Sequence, residues 1–96
     1  MIIHIVMLAF KEENKEKNLQ KVKKELDALI NKISSLKSME VGLDFMQSER
    51  SFDLVLTSTF DTKEGLCEYA VHPAHLDVVK FIKEVTVESK VVDYEK

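Results

Sequence analysis

Ile2-Ile3-His4-Ile5-Val6-Met7-Leu8-Ala9-Phe10 is apolar at every position but one. The run is short, rich in β-branched residues, and ends at Lys11-Glu12-Glu13. That pattern predicts a strand covered on both faces. Ile2, Val6, Leu8 and Phe10 share one side with His4, and Ile3, Ile5, Met7 and Ala9 share the other. The run is too short to span a bilayer, and His4 interrupts it, so no membrane partner is expected.

Working outward, the period changes at Asn14, a plausible helix cap. Leu19, Val22, Leu26, Leu29, Ile30, Ile33 and Leu36 recur at three- and four-residue steps, which predicts one helix face. Met39, Val41, Leu43 and Phe45 then alternate with Glu40, Gly42, Asp44 and Met46, as in a half-buried strand. After a polar turn at residues 47–51, Phe52 to Phe60 reads as a strand. Asp61-Thr62-Lys63-Glu64 resembles a capping box with the aspartate as cap. Two helical pieces are expected over about 62–71 and 73–84. Thr86 to Tyr94 reads as the last strand, with Val87 and Val91 on one face and Val92 and Tyr94 on the other.

The order strand, helix, strand, strand, helix, strand predicts an α+β, ferredoxin-like sandwich in one domain over residues 1–96. Right-handed crossovers interleave the two halves into a four-stranded antiparallel sheet with the helices on one face. The first strand is central in that topology, yet apolar on the face that the helices leave open. An exposed apolar patch of that size marks an interface. A homodimer closing sheet against sheet is therefore expected. The competing reading is that Asp53, Thr57 and Thr59 keep that face wet.

The chain has 96 residues and a formal net charge of −3. Its lysines alternate with acids along a helix face instead of forming the basic patch that nucleic acid requires, so no nucleic-acid partner is expected. The one cysteine, Cys67, excludes an internal disulfide and fits a reducing, cytoplasmic setting. With no second cysteine and no basic neighbour in sequence, it is expected to be buried and inert.

Chemistry concentrates in Tyr69-Ala-Val-His72-Pro73-Ala-His75, which contains the only proline and two of the three histidines. Proline disfavours helix at the residue before it and suits the first turn of a new helix. The chain should break at His72, with Tyr69 in the turn before and His75 in the turn after. Tyr69 and His75 are candidate proton-transfer groups and His72 is a candidate binding residue, while His4, on a buried strand, reads by itself as a core histidine. His72 has a second expected role, holding the break by bonding backbone. The competing reading of the pair is structural, with hydroxyl and imidazoles satisfying one another and the backbone. A metal site is not expected, because His72 and His75 straddle the break at a spacing of three. Asp93-Tyr94-Glu95 is read as structural, with Tyr94 packed at the sheet edge and Glu95 and Lys96 solvated; a functional role is the competing reading.

These residues together resemble the stress-responsive dimeric alpha–beta barrel family, Dabb. The resemblance covers essentially the whole chain. It rests on His4-Ile5-Val6-Met7-Leu8-Ala9-Phe10-Lys11, Phe52-Asp53-Leu54-Val55-Leu56, Tyr69-x-x-His72-Pro73-x-His75, Val78-Val79-Lys80-Phe81-Ile82 and Val91-Val92-Asp93-Tyr94-Glu95. It implies a ferredoxin-like protomer that dimerises through its sheets and binds an unidentified small molecule. Plant members include polyketide cyclases that need no cofactor. By that resemblance Tyr69 and His75 would move protons, and His4 would line the same pocket. Where those cyclases place a pocket aromatic in the first helix and a histidine in the third strand, this chain has Leu26 and Leu54.

Overall fold

The computed structural model describes residues 1–96. Its elements are β1 (Ile2–Phe10), α1 (Lys15–Ala28), a short 3-10 turn (Leu29–Asn31), β2 (Ser38–Leu43), β3 (Leu54–Phe60), α2 (Lys63–Val71), α3 (Pro73–Val85) and β4 (Thr86–Glu95). The sheet order is β2-β3-β1-β4, with every neighbouring pair antiparallel. This is the ferredoxin-like arrangement, with β1 in the interior of the sheet.

Alternation along β1 sorts its side chains. Ile2, Leu8 and Phe10 join Leu54, Leu56 and Phe60 of β3 in one core with Leu19, Val22 and Leu26 of α1. Tyr69 of α2 and Val78 and Val85 of α3 complete that core. Removing side chains of this size from water stabilises by roughly 1.5–3 kcal/mol each. The odd-numbered residues of β1 face away from the helices. So do Val55 and, through the register Ile5↔Val92 and Ile3↔Tyr94, two residues of β4.

Several boundaries differ from the sequence pattern. The α1 helix stops at Ala28, and the chain tightens into the 3-10 turn. Ile33 and Leu36 are still buried, but from the segment after it, through Ile33 N–H to Leu29 O and Leu36 N–H to Ile33 O. Ile30 turns outward instead. Asn14 occupies the cap position in the left-handed region (φ 54°) and makes no side-chain cap bond. The cap of α2 is Thr62, not Asp61: its hydroxyl accepts from Gly65 N–H at 3.0 Å.

β2 ends at Leu43, because the Asp44 carboxylate accepts from Gln47 N–H at 2.7 Å and turns the chain. Phe45 is consequently 88% exposed instead of lying on a strand face. Asp53 does not wet the open face either. It precedes β3 and is buried, where one oxygen accepts from Phe10 N–H at 2.7 Å and the other pairs with Lys15 at 3.1 Å. That carboxylate ties the end of β1 to the start of α1. Val87 lies at the irregularity in β1–β4 pairing, so its side is not shared regularly with Val91.

Cys67 is exposed, contrary to expectation. Its neighbours Leu66 and Tyr69 carry the inward face of α2, and a residue one step beyond Leu66 points off that face. No helix is long and apolar enough to cross a membrane.

Candidate active site

The break between α2 and α3 forms as the proline dictates. His72 is at once the last cap of α2 and the first cap of α3, with extended backbone (φ −64°, ψ 135°), and Pro73 opens the new helix. Ala74 N–H donates to His72 Nδ1 at 3.1 Å. His72 thus holds the bend together, as its second expected role has it, and is not on the wall of the cavity described next. Its ring is committed to a backbone donor that the helix start leaves unpaired.

The bend aims Tyr69 and His75 at each other, with ring centroids 4.3 Å apart. Phe60 of β3 packs against Tyr69 at 5.1 Å, and His4 of β1 lies edge-on to Tyr69 at 6.3 Å. Tyr69, His75 and His4 line one cavity of about 300 Å³ between the sheet and α3. Val6, Leu8, Leu26, Leu56, Val79, Ile82 and Val91 supply its apolar walls, and Lys83, Thr86 and Ser89 complete the lining. Leu26 is therefore a wall residue. Leu54 is packed in the core away from it, and Leu56, two residues on, takes the wall position. A wider groove of about 490 Å³ lies elsewhere, beside Phe45, Arg50 and Phe52, and contains no histidine or tyrosine.

The two candidate proton-transfer groups differ electrostatically. Tyr69 is 1% exposed, and burial pushes its hydroxyl up to about 12. It is a neutral O–H donor at neutral pH. Its hydroxyl has no protein partner, and Ser35 Oγ is the only sealed side-chain polar atom without one, so the hydroxyl reaches the cavity. Burial also lowers His75 from its ordinary value. The Ala70 carbonyl opposes that shift, and His4 and His72 add to it. His75 is thus held neutral. Its Nδ1 lies 3.1 Å from Ala70 O. A carbonyl only accepts, so Nδ1 carries the proton and Nε2 keeps the free lone pair.

His4 Nδ1 bonds the carboxylate of Asp93, its direct cross-strand partner on β4. The carboxylate accepts, so Nδ1 of this ring carries a proton and the ring is held in one orientation. Asp93 is the residue that sequence reasoning missed. End-to-end pairing of the two strands as read from the sequence would have set Val92 opposite His4; only the observed register, which pairs Ile2 with Glu95, brings Asp93 there. No three His, Cys, Asp or Glu side chains converge as a metal site.

The family model described as stress responsive A/B barrel domain matches residues 2–96. The chain belongs to that family. Among curated proteins, this A/B barrel chain is 26% identical over 93 residues to the stress-response A/B barrel domain-containing protein HS1 of Arabidopsis thaliana, covering 95% of this chain and 85% of that protein. It is 31% identical over 75 residues to olivetolic acid cyclase of Cannabis sativa, covering 76% of this chain and 74% of the cyclase. Among solved structures it matches a dimeric protein of unknown function and ferredoxin-like fold from Bacteroides fragilis. There the TM-score is 0.91 with 31% identity, over 99% of this chain and 95% of that one.

Proposed function

We propose that this A/B barrel protein is a homodimer closed through its open sheet face, and that each protomer performs acid–base chemistry on a small carbonyl compound without a cofactor. The observation that carries the reading is the Tyr69–His75 pair at 4.3 Å inside an apolar cavity. A neutral phenol and a neutral imidazole with a free lone pair are what proton abstraction beside a carbonyl needs. The similarity to a cyclase supports the same reading, and the dimeric structural neighbour supports the assembly.

In the proposed reaction His75 Nε2 takes a proton from the carbon next to a carbonyl. The Tyr69 hydroxyl donates to that carbonyl oxygen as enolate charge develops on it. The carbanion attacks a second carbonyl of the same molecule, forming a carbon–carbon bond. The proton on His75 passes to the oxygen of the attacked carbonyl. The His4–Asp93 pair keeps the third wall polar and in one orientation. A non-catalytic binding module is the second reading, favoured by Leu26 and Leu56 on the walls.

Deuterium uptake into the methyl group of acetophenone, followed by NMR in heavy water, separates the two. The unmodified protein is expected to exceed buffer. His75→Ala should return to the buffer rate, and Tyr69→Phe should lose on the order of 100-fold. Uptake no faster than buffer, or unchanged in His75→Ala, leaves only the binding reading.

A further inference from the structure

The cavity has two chemically different ends. One holds His4, Tyr69 and His75, and the other holds Lys83 and Ser89. Lys83 lies eight positions after His75 on α3, about 12 Å along the helix. On the sheet, Ser89 is paired with Leu8, four residues from His4 and about 13 Å along the strand. Helix and strand therefore agree on a slot roughly that long, aliphatic in the middle. No carboxylate lines it. Lys83 is exposed and makes no ion pair, unlike Lys15, Lys21, Lys23, Lys37 and Lys90.

We infer that Lys83 selects an anionic substrate: a small apolar acid that enters with its carbonyl carbon at Tyr69 and His75 and its carboxylate at Lys83. This rests on the proposed acid–base reading for the chemistry at the inner end, but not for the binding. An ammonium beside an apolar slot without competing carboxylates favours an anion over an isosteric neutral group. The Ser89 hydroxyl supplies a second donor at the same end. The side chain has one other use: Lys83 lies in the last turn of α3, where a cation offsets the helix dipole. That use predicts a change in stability and none in ligand choice.

The test uses para-acetylbenzoate and its uncharged amide, para-acetylbenzamide, on the unmodified protein, Lys83→Gln and Lys83→Arg. Binding is read by NMR titration, and methyl deuterium uptake is read separately. The acid should bind the unmodified protein about two- to fivefold more tightly than the amide, as expected of an exposed charged contact. Added salt should shrink that margin. Lys83→Gln should erase it while leaving the affinity for the amide unchanged, and Lys83→Arg should keep most of it. Equal binding of acid and amide by the unmodified protein, or an acid preference that survives Lys83→Gln, overturns the inference. Failure of the proposed reaction is distinguishable, because it would abolish deuterium uptake from both probes while the acid preference in binding remained.

Discussion

The two faces of the sheet are built from the same strand and meet opposite fates. On the helix side, Ile2, Leu8, Phe10, Leu56 and Phe60 are sealed under α1, α2 and α3. On the open side, Met7, Val55 and Val92 are 38%, 37% and 58% exposed. β1 is apolar on both faces, so its own hydrophobicity does not distinguish them, although Thr57 and Thr59 add polar groups to the open side. Cover does: the helices reach only one side, and the other presents apolar surface that a second copy would bury. The covered face has its own interruption. Where α2 breaks into α3 the packing opens, and the polar groups His4, Tyr69 and His75 gather there. The open face is the one that the proposed dimer uses, and the gap in the other is where the proposed chemistry is placed.

The strongest way to break this contrast is to attack the sealed face. Phe60→Ala removes a side chain with no exposure that also braces Tyr69. It should cost about 3–5 kcal/mol, lowering the melting temperature by at least roughly 12 °C in circular dichroism. A loss under about 1 kcal/mol would show that the helix-side core does not hold the fold.

Attacking the open face should leave the fold and split the assembly. Val55→Asp places a charge in the proposed interface, which should weaken dimerisation on the order of 100-fold. Sedimentation at micromolar concentration reads it out. A monodisperse monomer for the unmodified protein would refute the sheet-to-sheet dimer at once.

Acid sharpens the contrast at the gap. Folding lowers His75 below its ordinary 6.5. Below that pH the unfolded chain binds the proton and the native site does not, so stability should fall on acidification and be flat above it. His75→Gln should remove that slope, measured by urea unfolding between pH 5 and pH 8. A slope that persists in the variant would mean that His75 is not held neutral by its surroundings. With Tyr69 pushed up to about 12, its ionisation should produce no alkaline loss of activity below that range.

The smallest effect belongs to His72, the histidine outside the cavity. His72→Ala should cost about 1 kcal/mol, as for other lost caps, and leave ligand binding intact. Loss of binding without loss of stability would return His72 to the site.

Much of this was legible in the residues. The two alternations of Ile2–Phe10 announced a strand apolar on both faces, and the step pattern from Leu19 announced α1. Pro73 announced the break and set Tyr69 and His75 in adjoining turns. The ends of elements were less legible. Phe45 continues an alternation that the Asp44 turn interrupts, and Ile33 and Leu36 continue a helical period after the helix has tightened. Periodicity records which residues prefer burial, not the backbone route that buries them.

The sequence by itself determined the order of elements, the position of the bend and the doubly apolar β1, because each follows from local propensity and spacing. Only the tertiary structure decided that Asp93 faces His4, that Asp53 ties β1 to α1, that Cys67 points outward and that Lys83 stands at the far end of the slot. These depend on strand register and on how α3 lies across the sheet. Register and docking are set by many weak contacts between residues far apart in the chain, and no short window of sequence contains them.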